Sequence, residues 1–410
     1  MTTHGGCSTL KKEHFVNLGN NLVLTQTTEE TMKMLLTGAT GTLGSVVLEK
    51  ISGNGQIYCL IRNKHGDDAG NRLGENGRAI VIPGDITLPL CGVSAENIEL
   101  LKGVDVVLHC AASIDFGLSR AITTSNININ GTRNILELSL KAAAKKFIHV
   151  STSYVAGGAE FFSEDDHDIG QQLRNPYEKS KSQGEEMVRI FASKSNMPFA
   201  ILRPSVIVGD SKTGKIMSFE GYYGFFKYLI SLRDKVKKSS KKSVLSELVN
   251  GEKVFLPVTV RCSYTSTINL VPIDWVTNCI CYFLKQGTME NRAYHLVNED
   301  PPHVRQVIEK TLELVGVNCY LRETSEPLKN GFPKNIIKIA ETMQKGFELT
   351  ENLYWPYVTK EPKFSVKELK RIMGKDYSPA PQTDNKLLET LLSYAEKEKW
   401  GRKKGELTLP

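Results

Sequence analysis

No apolar run among the 410 residues approaches the ~20 that a membrane-spanning helix needs. The opening MTTHGGCSTLKKEH carries no hydrophobic stretch of the secretory kind, so a cytoplasmic location is expected. The eight cysteines, at positions 7, 59, 91, 110, 262, 279, 281 and 319, form no CxxC pair and no CxxC…HxxxH spacing. That argues against a disulfide framework and against a zinc site, and reduced, mostly buried thiols are expected. Charge of one sign is also scarce. A net +7 is modest for this length, and no recognition-helix motif or interleaving of basic and aromatic residues points to nucleic acid. What is present is an ordinary composition, 40% apolar and 24% charged, in a chain long enough for one unit of roughly 200 to 250 residues and a smaller second one.

The most informative stretch is MLLTGATGTLGSVVLEKI, from Met34 to Ile51. Apolar Met34, Leu35 and Leu36 lead to Thr37, glycines follow at Gly38, Gly41 and Gly44, and Leu43, Val46, Val47 and Ile51 then recur at helical spacing. The pattern predicts strand, tight turn and helix, the form of a dinucleotide site. The glycines allow the turn, the approach of backbone to pyrophosphate, and close helix packing, while the helix N-terminus offers free N–H groups to phosphate. Gly38, Thr40, Gly41, Thr42, Leu43 and Gly44 are therefore candidate cofactor contacts. A second strand, Gln56 to Ile61, ends at Arg62, with Arg72 in the polar loop beyond. At this position an acidic residue would hold the ribose of NAD, whereas arginine accommodates a 2'-phosphate, so NADPH (NADP+) is the expected cofactor. The plainer reading of Arg62 is a solvated charge at a strand end.

A third strand, Ala79 to Ile82, ends in Pro83-Gly84-Asp85-Ile86, making Asp85 and Ile86 candidates for the adenine edge. Ser94 is a candidate N-cap for a short helix to Lys102. The fourth strand, Val104 to His109, runs into Cys110, Ala111 and Ala112, small residues at the strand edge where ligands bind in an open parallel sheet. His109, alone at the end of an apolar strand, reads as packed rather than catalytic. Helical patterning over 121–145 contains Asn128, Asn130 and Gly131, and Phe147 to Val150 is a fifth strand. The alternation predicts an α/β fold, a doubly wound parallel sheet of the Rossmann kind, with a smaller and mainly helical C-terminal substrate region. The expected division is an N-terminal extension over 1–30, a cofactor domain over 31–210 with a return segment near 265–300, and a substrate region over 211–264 and 301–410.

The fifth strand ends in Ser151-Thr152-Ser153-Tyr154, which places hydroxyls at the ligand edge. Tyr177 and Lys181, at i and i+4 of a later helix, share one face. A phenol titrates near ~10, and an ammonium beside it favours the phenolate and brings it towards the working range. Tyr177 would then give a proton to a carbonyl oxygen under reduction. Thr152 would hold that oxygen as charge develops, and Lys181 would also bind the nicotinamide ribose. The plainer reading is an exposed Tyr/Lys pair.

With the motifs Thr37 to Gly44 (TGATGTLG), Gly84-Asp85-Ile86, His109 to Ala112, Asn128 to Thr132, Ser151-Thr152-Ser153 and Tyr177 to Lys181 in hand, the chain resembles the extended short-chain dehydrogenase/reductase family over about residues 32 to 300. The resemblance implies Thr152, Tyr177 and Lys181 as the catalytic set. It also implies Asn128 as the helix asparagine that supports the lysine through water, and puts Pro204, Ser205 and Val206 against the nicotinamide carboxamide. CLIR (59–62), HVSTSYVAG (149–157) and LRPSVIVGDSKTGK (202–215) are most similar to thioester reductase domains and fatty acyl-CoA reductases. That branch implies NADPH-dependent reduction of an acyl thioester, on coenzyme A or a carrier protein, to aldehyde or alcohol. Dimers are common in the family.

The aromatic stretch from Phe219 to Tyr228 lines an acyl pocket on one reading and is plain core on the other. Lys227 to Lys242 holds seven Lys or Arg against one Asp. It reads as a solvated segment, or as a docking patch for an acidic acyl carrier protein or coenzyme A phosphates. Asp274 is a candidate N-cap, Tyr294 to Val297 a late strand, and Trp355-Pro356-Tyr357 a candidate piece of pocket wall. Two rival functions remain. One is another extended short-chain enzyme, acting on secondary alcohols or ketones or epimerising sugar nucleotides. The other is an NADP-binding sensor without catalysis.

Overall fold

The structure, a computed structural model, describes residues 13–18, 21–26, 32–51, 55–63, 69–73, 79–239, 244–324 and 334–402. Cys7, Lys241 and Lys242 lie outside these, as does most of the expected 1–30 extension, whose described part is an antiparallel pair, Glu13–Leu18 with Asn21–Gln26.

Met34, Leu35 and Leu36 are all fully buried, with Met34 and Leu36 in one apolar cluster and Leu35 in another. Side chains alternate across a strand, so an unbroken apolar run means a strand covered on both faces. Seven such strands form the main sheet: β1 (Met32–Thr37), β2 (Gly55–Ile61), β3 (Ala79–Pro83), β4 (Val106–His109), β5 (Phe147–Val150), β6 (Phe199–Pro204) and β7 (Arg292–Leu296). Their order is β7-β6-β5-β4-β1-β2-β3, and every pairing is parallel. The expected doubly wound Rossmann sheet is therefore present. The strand order reverses between β1 and β4, which opens a crevice at their carboxyl ends.

One face is covered by α1 (Thr42–Ile51), through Val47, Leu48 and Ile51, and by a helix over Ile273–Lys285, through Trp275, Val276, Ile280 and Phe283. The other is covered by the helix Gly131–Lys141 and by α2 (Pro176–Ser195). A third cluster joins α3 (Tyr222–Ser239), the strand Lys253–Arg261, α4 (Val304–Leu314), α5 (Lys334–Thr359) and the helix Asn385–Lys397.

Two local expectations need correction. The helix expected over 121–145 is α-helical at Ala121–Ser125, a π turn at Asn126–Asn130, and α-helical again at Gly131–Lys141. Asp274 does not cap its helix, whose N-cap is Pro272; its carboxylate instead accepts from Ser211 N (2.9 Å) and Ser211 Oγ (2.7 Å). The C-terminal region is mainly helical, as expected, and also holds a three-stranded sheet in which Lys253–Arg261 pairs antiparallel with Val249–Asn250 and in parallel with Val317–Arg322. Its register shifts between Phe255 and Thr259, where Pro257 has no N–H to give the ladder.

The start of α2 follows helix-capping chemistry. Asn175 Oδ1 accepts from Glu178 N at 2.9 Å, and Pro176 occupies the first turn, where a missing N–H costs nothing. Deeper in, Arg203 of β6 donates to Glu185 of α2 from Nε (3.0 Å) and Nη2 (2.6 Å), both side chains being fully buried. The guanidinium holds this carboxyl well below the usual carboxylate range, against the opposing effect of burial. Replacing Arg203 by Met leaves the buried carboxylate without its two short hydrogen bonds, with His167 at 3.7 Å and Arg189 at 4.0 Å as the remaining ion-pair partners. It should lower unfolding free energy by ~3–5 kcal/mol in urea titration, and a loss below ~1 kcal/mol would contradict the anchoring role.

Candidate active site

The carboxyl ends of β1, β2, β4, β5 and β6 border a single cavity of about 630 Å³. Gly38 has φ +78, and a Cβ there would lie 2.7 Å from Ala111 N; a Cβ on Gly44 would overlap the Gly38 carbonyl oxygen. The turn therefore sits directly on the loop after β4 and on its own helix, and only glycine permits both contacts. Thr37 Oγ1 braces the junction, lying 2.7 Å from His109 Nδ1 and accepting from Ala111 N at 3.2 Å. His109 also meets Thr132 Oγ1 at 3.2 Å, and burial lowers its pKa to about 3. It is a packed, neutral imidazole, as expected.

Every residue in the expected cofactor set lines the cavity: Gly38, Thr40, Gly41, Thr42, Leu43, Gly44, Arg62, Arg72, Asp85, Ile86, Cys110, Ala111, Ala112, Tyr177, Lys181, Pro204, Ser205 and Val206. Arg72 Nη1 donates to the Arg62 carbonyl at 2.6 Å, which holds the Arg72 guanidinium at the end of β2, and both arginines line the cavity. Asp85 Oδ1 accepts from Thr87 N (2.9 Å) and Thr87 Oγ1 (2.8 Å), an Asx turn that fixes the loop after β3.

Thr152, Tyr177 and Lys181 line the same cavity. Lys181 Nζ donates to the Val150 carbonyl at 2.7 Å, and burial lowers its pKa to about 8, with Glu185 acting in the opposite direction. The Tyr177 phenol is pushed up to about 12, chiefly by burial, while a hydrogen bond with Thr152 pulls it down. The expectation that the lysine brings this phenol towards neutrality is thus not met. Desolvation of the phenolate outweighs its neighbours, and the ammonium is engaged with a backbone carbonyl.

Asn128 is the one expected residue that does not line the cavity. The π turn buries it, where Nδ2 donates to Ser180 Oγ (2.8 Å) and the Ser113 carbonyl (3.0 Å), and Oδ1 accepts from Ser113 N (2.7 Å). It ties the loop after β4 to α2. π turns are frequent where a helix must redirect one functional side chain.

Beyond Tyr177 the lining continues onto α3, α4 and α5. The whole aromatic set, Phe219, Tyr222, Tyr223, Phe225, Phe226 and Tyr228, belongs to the core, and Tyr222, Phe225 and Phe226 also line the cavity. Tyr357 lines it and Trp355 does not, the latter being stacked by Arg261 at 4.3 Å. Lys237 of the basic segment is paired with Glu252 at 3.1 Å.

The family model for male sterility protein matches residues 36–280, more than half of the sequence. The chain belongs to the male sterility protein family. This is the thioester reductase and fatty acyl-CoA reductase branch of the extended short-chain dehydrogenase/reductases, a nicotinamide-dependent oxidoreductase type. Fatty acyl-CoA reductase 1 of Xenopus laevis is 28% identical over 297 residues, 60% of this chain and 53% of that protein. Fatty acyl-CoA reductase wat of Drosophila melanogaster is 28% identical over 225 residues, 43% of each. The chain spans about half the length of the curated relatives it matches. In fold it is similar to the terminal R domain from the myxalamid PKS-NRPS biosynthetic pathway, at TM-score 0.67, 22% identity and 94% coverage of both chains.

Several residues at the site of this male sterility family member carried no sequence signal. Phe116 packs against Tyr177 (centroids 5.7 Å) and Tyr357 (5.3 Å). Arg174 bonds Glu178 and lies over the Tyr357 ring at 4.5 Å. Glu361, raised to about 7 by burial, accepts from Tyr154 Oη (3.0 Å), Thr267 Oγ1 (2.8 Å) and Asn269 N (2.6 Å). Only Arg174 and Glu178, at i and i+4, had a spacing that sequence could have flagged.

Since exposed lysines titrate near ~10.4 and burial holds Lys181 at about 8, acetic anhydride should acylate Lys181 at lower pH than surface lysines. Peptide mapping across a pH series checks this, and a shared onset would contradict it.

Proposed function

We propose that the protein is an NADPH-dependent reductase of an apolar acyl thioester, carried on coenzyme A or on a carrier protein, yielding the aldehyde or, after a second reduction, the alcohol. The observation that carries the reading is the one cavity in which Thr152, Tyr177 and Lys181 adjoin both a glycine cradle with two cations and an apolar arm.

The cradle suits the cofactor: Gly38 and Gly44 let the turn pack tightly on the loop after β4 and on its own helix, leaving the helix N-terminus open to the cavity for a pyrophosphate, and Arg62 with Arg72 supplies charge for a 2'-phosphate. NADPH, when bound, supplies the hydride that the thioester carbonyl carbon accepts. Thr152 Oγ1 and Tyr177 Oη then donate to the carbonyl oxygen as it becomes an oxyanion. A phenol held at about 12 is protonated throughout the neutral range, the state a proton donor needs. Tyr177 passes its proton to the oxyanion. The resulting hemithioacetal loses its C–S bond as the hydroxyl closes to the aldehyde, and its proton leaves with the thiolate as thiol. Lys181, protonated below about 8, holds positive charge beside the ribose and favours recharging of the phenol.

The arm beyond Tyr177, with Ile216, Tyr222, Phe225, Phe226, Ile308 and Tyr354 in its wall, supports an apolar acyl group. Among the described lining residues the cations are Arg62, Arg72 and Lys181, all on the cofactor side, which disfavours a sugar nucleotide in the arm.

The test is pure protein with NADPH and a panel of acyl-CoA esters, aldehydes and ketones, read by product analysis; reduction of ketones alone would replace this reading. Tyr177→Phe should lower kcat by roughly 10²–10⁴ and leave the NADPH Kd unchanged, and near-normal turnover would remove the donor role. Arg62→Ala should weaken NADPH more than NADH, whereas an unchanged ratio would reassign the cofactor. As pH rises through about 8, Lys181 loses its proton, so kcat/KM should fall there in the wild type. The low residual activity of Lys181→Met should lack that limb.

A further inference from the structure

Helices α3 and α5 pack through two glycines that face two tyrosines. The Tyr354 hydroxyl lies over Gly224 and the Tyr228 hydroxyl over Gly346, so a methyl group at either glycine would overlap the phenolic oxygen opposite. Positions 224 and 228 ascend one helix while their partners 354 and 346 descend the other, as antiparallel neighbours require. Glycine inside a helix is unfavourable relative to alanine, so each position has a packing reason. The two contacts differ in one respect. Tyr354 lines the cavity, whereas Tyr228 and Gly346 do not.

The Tyr354 ring is set edge-on to Phe116, at 5.8 Å and 88°, and to Phe225, at 6.0 Å and 86°. Phe116 in turn meets the Tyr177 ring at 5.7 Å. The ring is thus fixed between the arm's wall and the residue that borders the proton donor, and it can withdraw towards α3 only because residue 224 has no side chain. We infer that Gly224 is a specificity-determining residue: it seats Tyr354 against α3, and so sets the width of the arm next to Tyr177 and the length and bulk of the acyl chain that fits. This inference rests on the acyl thioester reading of the site.

The experiment measures binding of hexanoyl-CoA and palmitoyl-CoA by calorimetry to the NADP+ complex, which cannot reduce them, alongside turnover with NADPH. Gly224→Ala should weaken palmitoyl-CoA about tenfold or more relative to hexanoyl-CoA, the scale expected when an apolar pocket is narrowed. Adding Tyr354→Phe removes the overlapped oxygen and should restore the ratio. Tyr354→Leu, which opens the same wall without adding an atom to α3, should shift the ratio the other way. Gly346→Ala makes the matched overlap outside the cavity, and should lower Tm while leaving the ratio unchanged. Equal ratio changes at 224 and 346, no recovery in the double variant, or no binding of either ester would overturn the inference. If the ratios move as stated but the wild type reduces neither ester, the thioester reduction reading fails and the assignment of Gly224 stands.

Discussion

The buried pair of Glu185 and Arg203 ties the helix that carries Tyr177 and Lys181 to the strand that leads into Pro204 and Ser205. Tyr177, Lys181 and Glu185 stand at i, i+4 and i+8, one stripe of α2, so fixing the last fixes the rotation of the other two. A rotation by one residue, about 100°, would take Lys181 Nζ away from the Val150 carbonyl. The same carboxylate works electrostatically. It opposes the loss of charge that burial imposes on Lys181, keeping an ammonium available at neutral pH. Such a pair is seldom a net source of stability compared with apolar replacements, and its value here is orientation.

Most of the sheet was legible in the sequence because each strand is an apolar run long enough to cross a layer, ended by glycine or a polar turn. The boundaries expected at Gln56, Phe147 and Tyr294 fall within a residue or two of those of β2, β5 and β7. The glycine turn was legible for a steric reason that is local: Gly44 meets Gly38 only six positions away. What escaped was whatever depends on partners distant in the chain. Lys253–Arg261 contains a proline and is buried within the second core, so it has no period of two to show, and its partner strand lies past 316. The π turn at Asn126–Asn130 is set by what Asn128 must reach, Ser113 and Ser180, rather than by the propensity of its own residues. The protonation of Tyr177 was misjudged for a related reason, because i,i+4 spacing reports proximity to a lysine but not the desolvation that outweighs it.

The wall above the reactive groups is built from the far end of the chain. Glu164 accepts from the backbone N–H groups of Glu368 and Leu369, and from His295 N, which docks the segment after α5 onto β7. Arg174 donates to the carbonyls of Pro356 (3.0 Å) and Lys360 (3.3 Å), closing off the end of α5 beside the first turn of α2. Glu361 adds the third tie, to Tyr154 and to Thr267 and Asn269. These ties pair the carboxylates and carbonyls at the junction, and Tyr354, Tyr357 and Val358 are what this part of the chain adds to the cavity wall.

That division of polar and apolar surface bears directly on the chemistry. On the proposed reading, an oxyanion forming beside Tyr177 would meet the hydroxyls of Thr152 and Tyr177 in a buried setting, where each of those interactions is stronger than it would be in water. The desolvation that produces this gain also makes the phenol a weak acid. In the reducing direction the two effects are compatible, because the group must be protonated before hydride arrives and needs to give up its proton only once an alkoxide, a stronger base than phenolate, has formed.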